Sequence, residues 1–176
     1  MTSWGETASE RAAPLPCDEL MPDAQLVLHR AVDVAAPAEL AYRWLCQLRV
    51  APYSYDLLDN RGQRSPRELT PGLDELEVGQ PMCKIFTLAS FTPGSQVTLE
   101  LTDPVGLRLF GHVAITYAVT PTGPDTCRLY VRLRVRGLDP LRRRALPLGD
   151  LIMMRKQLRT LAALAERDAR PRPARG

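Results

Sequence analysis

The residue types that could carry chemistry are most concentrated in segment 53–61. Tyr53 and Tyr55 supply two phenol rings, and Asp56 and Asp59 supply two carboxylates, beside an amide and a guanidinium. A tyrosine combines an apolar ring with a hydroxyl group that donates or accepts a hydrogen bond, which suits a ring-bearing ligand. Partial desolvation would raise the pKa of either aspartate and make it a general base. The alternative interpretation is structural: the tyrosines close the end of a sheet and the polar residues form turns.

Three further residues are candidates for the wall of a ligand cavity. Tyr117 lies on the apolar side of an alternating segment, so its hydroxyl would be a polar contact inside an apolar pocket. Met153 and Met154 stand early in the terminal helical segment, and methionine adapts to irregular apolar shapes. Ordinary core packing is the alternative for both methionines. The sequence thus predicts ligand contacts for seven residues: Tyr53, Tyr55, Asp56, Asp59, Tyr117, Met153 and Met154.

His112 is the other residue with acid–base potential. It alternates with Val113 and Ile115, which places it on the outer, solvated face of its strand. A bulge at Gly111 would instead redirect it into the interior as an acid or base. No nucleophile–base pair of a recognisable type is present, so no catalytic residue is assigned.

Arginines dominate one side of the most regular strand pattern in the chain. Arg128, Arg132, Arg134 and Arg136 alternate with apolar residues from Cys127 to Val135. Four guanidiniums on one strand face could bind phosphates, but only one aromatic residue is interleaved and no nucleic-acid motif accompanies them. We expect these arginines to face solvent and to confer no nucleic-acid affinity.

Composition excludes several classes of protein. The 176 residues carry a net charge of only +3, which does not by itself indicate a nucleic-acid or membrane partner. Four dispersed cysteines and two histidines leave little material for a zinc or haem site, so we predict no metal and no cofactor. Neither a secretory signal nor a membrane span is visible, which favours the cytoplasm. The oligomeric state stays open.

The order of elements predicts an α+β domain. A strand at Gln25–Val34 precedes a helix that begins at Pro37, and a long irregular stretch covers 50–75. Strands follow at Met82–Phe91, Val97–Leu101, Leu107–Val119 and Cys127–Val135, with turns at 103–106 and 121–125. Leu148–Arg167 has apolar residues every three or four positions, which predicts a helix packed on the sheet. Residues 1–23 and 168–176 are expected to be flexible, leaving 24–167 as one domain.

This order resembles the helix-grip domains of the START/Bet v 1-like (SRPBCC) superfamily, and in particular a bacterial polyketide cyclase/dehydrase-like branch. The segments that carry the resemblance are VDVAAPAELAYRWL (32–45), APYSYDLLDNRGQRSP (51–66) and MMRKQLRTLAALAER (153–167). The resemblance implies a curved antiparallel sheet wrapped around the long C-terminal helix, with a cavity between them. It transfers no catalytic set, because members of the superfamily include carriers, hormone binders, cyclases and chaperone co-factors.

Three functions remain in competition at this stage. The first is binding or transport of a small hydrophobic or aromatic metabolite or lipid in that cavity. The second is a polyketide cyclase or dehydratase reaction, with tyrosine and aspartate side chains that position and deprotonate the substrate. The third is a protein-interaction module with a vestigial cavity. The missing nucleophile–base pair ranks the first above the second.

Overall fold

A seven-stranded sheet forms the centre of the computed structural model, which describes residues 2–54 and 64–170. The strand order is β1-β2-β7-β6-β5-β4-β3, and all neighbours are antiparallel except β1 and β2. The strands are Ser3–Trp4 (β1), Leu26–Val34 (β2), Pro81–Met82 (β3), Phe86–Thr92 (β4), Gln96–Leu101 (β5), His112–Gly123 (β6) and Thr126–Arg136 (β7). The meander expected from the sequence is confirmed.

Five helices in the described part of the chain accompany the sheet. They are Ala8–Ala12 (α1), Pro16–Leu20 (α2), Ala38–Cys46 (α3), Pro104–Phe110 (α4) and Pro140–Ala169 (α5). Pro37 is the N-cap of α3, and a short 3-10 turn over Gln47–Arg49 follows that helix. The long terminal helix α5 contacts both β2 and α3.

Helix α5 begins earlier than the sequence pattern indicated. Asp139 caps it by accepting hydrogen bonds from the backbone amides of Leu141 and Arg142, both at 3.0 Å, and Pro140 occupies the first turn. A capping aspartate followed by proline is a typical helix start. The expected start near Pro147 was therefore about two turns too late.

The main core lies between α5 and the inner face of the sheet. The alternating apolar residues of β7 all point into it: Cys127, Leu129, Val131, Leu133 and Val135. Met154, Leu158 and Leu161 meet them from the helix. The long helix packed on the sheet, expected from the three- and four-residue spacing, is confirmed.

Residues 103–110 differ from the expectation of a turn followed by a strand. They form α4, because the carboxylate of Asp103 accepts a hydrogen bond from the Gly106 amide at 2.7 Å and Pro104 suits the first helical turn. Gly111, with φ of +69°, ends the helix, and β6 begins at His112. His112 is exposed and pairs in register with Arg136, as the solvated interpretation expected.

Residues 1–23, expected to be a loose arm, instead contain β1, α1 and α2. Strand β1 pairs with the edge of β2, and α2 packs on the outer face of the sheet. There Cys17 is fully buried, and its backbone amide donates a hydrogen bond to Thr116 Oγ1 at 3.0 Å. The outer face of the sheet is therefore covered at its centre.

The expectation that the four arginines of β7 face solvent is wrong for most of these arginines. Arg132, with 5% of its side chain exposed, pairs with Asp18 and also donates to the carbonyl oxygens of Glu10 and Arg11. The other three pair with acidic residues of the same N-terminal segment: Arg128 with Glu10, Arg134 with Asp18 and Arg136 with Asp23. Alternation correctly placed these side chains on one face, but it carried no information about the segment that covers it.

Replacing Leu158 with alanine should lower the free energy of unfolding by about 2–5 kcal/mol, because a fully buried side chain would leave a cavity between α5 and the sheet. The matched control is Leu148→Ala on the same helix, at a position that is half exposed and should change stability by about 0.5 kcal/mol or less. Chemical denaturation measures both variants. Equal effects at the two positions would contradict the packing described.

Replacing Arg132 with methionine should lower the free energy of unfolding by about 3 kcal/mol, because it removes a buried guanidinium that pairs with Asp18 and leaves two backbone carbonyl groups without their donor. Arg136→Met is the control, since its ion pair with Asp23 is largely exposed and should be worth about 1 kcal/mol or less. If Arg132→Met lowered the free energy of unfolding less than Arg136→Met does, the covering role of the N-terminal segment would be contradicted.

Candidate functional site: a buried polar row beneath the terminal helix

One row of paired residues crosses the inner face of the sheet and contains two polar side chains. Arg30 on β2 is opposite Val131 on β7, and Val131 is opposite Tyr117 on β6. Val97 on β5 continues the row. Strands lie about 4.8 Å apart, so Arg30 and Tyr117 are held roughly 10 Å from each other by the backbone pairing alone.

Helix α5 lies across this row and turns three side chains toward it. Asp150, Met154 and Gln157 are spaced by four and three residues, which places them on one face of a helix. Tyr117 donates its hydroxyl hydrogen to Gln157 Oε1 at 2.8 Å and lies 3.9 Å from Met154 Sδ. Gln157 Nε2 in turn donates to the carbonyl oxygen of Pro52 at 2.6 Å. The helix, the sheet and the loop after α3 are thus joined through one amide side chain.

Arg30 and Asp150 form a second polar contact between sheet and helix. Arg30 Nη2 lies 2.7 Å from Asp150 Oδ2, with only 1% and 7% of the two side chains exposed. Arg30 Nη1 also donates to the carbonyl oxygens of Thr2 at 2.7 Å and His29 at 2.8 Å. A charged pair so deeply buried is uncommon, because desolvation costs several kcal/mol per ion.

Arg30 and Tyr117 of the sheet, together with Asp150 and Gln157 of α5, form what we call the polar row. Burial changes the acid–base properties of two of its members. Desolvation raises the pKa of Asp150 to about 6, although the Arg30 guanidinium acts in the opposite direction. Burial likewise raises the pKa of Tyr117 well above its usual value, with smaller contributions from Cys83 and from the charge of Asp150. The tyrosine is therefore a neutral hydrogen-bond donor, while Asp150 can exchange a proton near neutral pH.

Solved structures of other proteins share the fold of this chain. The match to a Thermobifida fusca protein covers 80% of this chain and 93% of that protein, at 16% identity and a TM-score of 0.53. The match to the Zhui aromatase/cyclase from Streptomyces sp. R1128 covers 85% of this chain and 98% of that protein, at 16% identity and a TM-score of 0.52. The chain has the helix-grip fold. The fold that the sequence resemblance implied is thereby confirmed.

A third structure comes from a larger protein. The di-domain aromatase/cyclase BexL of the BE-7585A biosynthetic pathway matches over 82% of this chain at 17% identity, with a TM-score of 0.54. This chain spans 48% of that protein's length. No protein-family model matches the sequence, and no curated protein matches it.

The helix-grip fold brings together part of the set of residues predicted to bind a ligand. Tyr117 and Met154 are in contact beneath α5. Tyr53 is also buried and follows Pro52, whose carbonyl oxygen accepts from Gln157. The ring centroids of Tyr53 and Trp44 lie 5.9 Å apart in an edge-to-face contact. Met153 is exposed, because successive helical residues point about 100° apart and Met154 takes the inward position. Tyr55, Asp56 and Asp59 lie outside the described residues.

Three polar residues of the row were missed by sequence reasoning. Arg30 interrupts the inward series of β2, which otherwise alternates apolar residues from Leu26 to Val34. Asp150 and Gln157 fall on the apolar stripe of α5 at helical spacing. A charged or amide residue at an inward position of an otherwise apolar pattern was therefore the available signal.

The described residues contain neither a cluster of possible metal ligands nor a helix able to cross a membrane. Across residues 2–54 and 64–170, histidine, cysteine, aspartate and glutamate do not gather in a group of three or more that could hold a metal ion. None of the helices in that part of the chain is long and apolar enough to cross a membrane.

The stability of the protein relative to an Asp150→Asn variant should fall as the pH rises from about 4 to about 6. The folded state holds the Asp150 proton more tightly than the unfolded chain does, so ionisation in this window favours unfolding. Above the folded-state pKa the difference should become constant. Urea denaturation of both proteins at several pH values measures it, and a relative stability that rises across this window would show that Arg30 outweighs desolvation.

Proposed function

We propose that the protein binds a small aromatic or hydrophobic molecule between the sheet and α5, with the polar row as its recognition element. The observation that carries the proposal is the row itself, because Arg30, Tyr117, Asp150 and Gln157 are placed within an otherwise apolar core. Small-molecule sites in proteins have this composition, mostly apolar walls with a few convergent polar groups.

Stability alone does not account for these polar residues. Replacing a buried ion pair by apolar residues of similar volume is often neutral or stabilising, so a purely structural core has no need of one. In addition, the hydroxyl of Tyr117 and the amide of Gln157 are bonded to each other across the sheet–helix boundary. A ligand hydroxyl group that enters there can accept a hydrogen bond from Tyr117 and donate one to Gln157 Oε1, so that neither residue is left unsatisfied.

Tyr53, Tyr117 and Met154 are the predicted ligand contacts that this proposal retains. Tyr117 and Met154 meet beneath α5, and Tyr53 follows Pro52, whose carbonyl group holds Gln157. The exposed Met153 is not included, and the proposal does not depend on Tyr55, Asp56 or Asp59. The aromatase/cyclases that share the fold are consistent with an aromatic ligand, although at 16–17% identity they support the fold alone.

A cyclase-like reaction is the second candidate, and the properties of Asp150 favour it. A buried carboxyl group with a pKa of about 6 can act as a general acid or base near neutral pH. Tyr117, a neutral donor in the same row, could bind a substrate carbonyl oxygen. Turnover of an aromatic polyketide-type substrate that disappears in Asp150→Asn while binding persists would favour the enzyme over the binder.

The proposal is tested with naphthol, a neutral fluorescent phenol, as the probe. Naphthol should bind the wild type, and Tyr117→Phe should weaken binding by about three- to tenfold, because one hydrogen bond is lost while the ring is kept. The matched control is Tyr130→Phe, the same change at a buried tyrosine on the opposite face of the adjacent strand, which should bind like the wild type.

Equal losses in the two variants would show that naphthol binding reports general stability and not the row beneath α5. Absence of binding to the wild type, combined with native mass spectra that show no co-purifying small molecule from the protein's own host, would refute the proposal.

A further inference from the structure

The side of α5 that faces away from the sheet forms one wall of a separate groove. Its volume is about 680 Å³, within the range of small-molecule sites. The helix supplies all but one of the lining residues, and the remaining one comes from the segment before β3. They are Arg67, Ile152, Arg155, Lys156, Arg159, Thr160, Ala163 and Leu164.

Four of the lining residues are cationic and none is anionic. In the part of the chain that the structure describes, Arg67, Arg155, Lys156 and Arg159 have no carboxylate partner within ion-pair distance. By contrast, each arginine of β7 that faces outward is matched by an acidic residue. The groove therefore brings four unpaired cations together in one place, whereas the arginines of β7 are paired with carboxylates.

Two of the cations are held in place by an aromatic ring. The guanidinium carbons of Arg155 and Arg159 lie 5.3 and 5.6 Å from the centroid of the Trp4 ring. The pairing of β1 with β2 fixes the position of Trp4, which is opposite Arg30 in the sheet. Stacking uses the flat face of a guanidinium and leaves its in-plane N–H donors available for a forked contact with an anion. Such pre-positioned donors reduce the ordering cost of binding.

Apart from Thr160, the rest of the wall is apolar. Ile152 is 49% exposed, and Ala163 and Leu164 lie one to two turns after the cationic positions. A fully hydrated inorganic anion would gain nothing from these side chains, whereas an anion with an apolar body would bury them. The groove thus combines a charged part and an apolar part on the same helix face.

We propose that this groove is a second binding site, for a small organic anion that carries a carboxylate, sulfonate or phosphate group on an aromatic or aliphatic body. The site is distinct from the polar row, which lies on the opposite side of α5. It does not depend on the function proposed for that row.

The test compares naphthalene sulfonate with naphthol, which share the ring system and differ in charge. Calorimetry on the full chain should show that the sulfonate binds and that Arg155→Gln combined with Arg159→Gln weakens it about tenfold or more, as expected for the loss of charge-assisted hydrogen bonds. A second pair, Arg67→Gln with Lys156→Gln, leaves the Trp4 contact intact and should also weaken binding. Arg143→Gln with Arg144→Gln is the matched control, two exposed arginines of α5 outside the groove, and should change nothing.

Separate outcomes distinguish the two sites. Sulfonate binding should weaken with added salt and should be unaffected by Tyr117→Phe, whereas naphthol binding should be unaffected by the groove variants. Equal sulfonate affinity in the groove variants and in the control would overturn the second site, whatever naphthol does. Binding to vesicles that contain anionic phospholipid, with no binding of the free sulfonate, would also overturn it and assign the groove to a lipid surface.

Discussion

The contact between Arg30 and Asp150 is the constraint on which the rest of the structure depends. It joins the sheet to the terminal helix at a place where both side chains have left water, so each charge needs the other. Arg30 also bonds to the carbonyl oxygen of Thr2, which ties the first strand to the same point. Moving α5 along the sheet by one turn would leave both charges buried without a partner. The ion pair therefore sets the register of the helix, while the apolar contacts supply most of the stabilisation.

The two faces of the sheet are covered by opposite means. The inner face is buried by a long helix through apolar side chains, with the polar row as an exception. The outer face is buried by the N-terminal segment through arginine–carboxylate pairs and bonds to backbone carbonyl groups, with only a small apolar cluster around Cys17, Met21 and Ala114. Ion pairs at the exposed end of the arginine row on β7 contribute little to stability. Arg132, at the buried centre of that row, therefore contributes more to the free energy of unfolding than Arg136 does.

Helix α5 connects the two proposed sites. Its inward face carries Asp150 and Gln157 in the polar row, and its outward face carries Arg155 and Arg159 in the basic groove. Trp4 stacks on the two groove arginines and is opposite Arg30 in the sheet. Helix α5 and strand β1 are thus the two elements that contact both sites.

The sequence by itself determined the elements and which face of each is apolar. Period-two alternation in β7 and three- to four-residue spacing in α5 report local geometry directly, and the order of elements was sufficient to identify the helix-grip fold. Tyr117 and Met154 were placed correctly inward for the same reason. Alternation failed at 103–110, where the Asp103 cap and Pro104 outweighed a pattern that also suits a strand.

Only the tertiary structure decided what each face meets. The local sequence does not indicate that Asp18 would pair with Arg132, or Asp150 with Arg30, because these partners are more than one hundred residues apart in the chain. A charged residue within an apolar pattern shows that a partner is needed, but chain folding selects the partner. The shifted pKa of Asp150 and the unpaired cations of the groove follow from that selection, so the candidate sites became visible only with the fold.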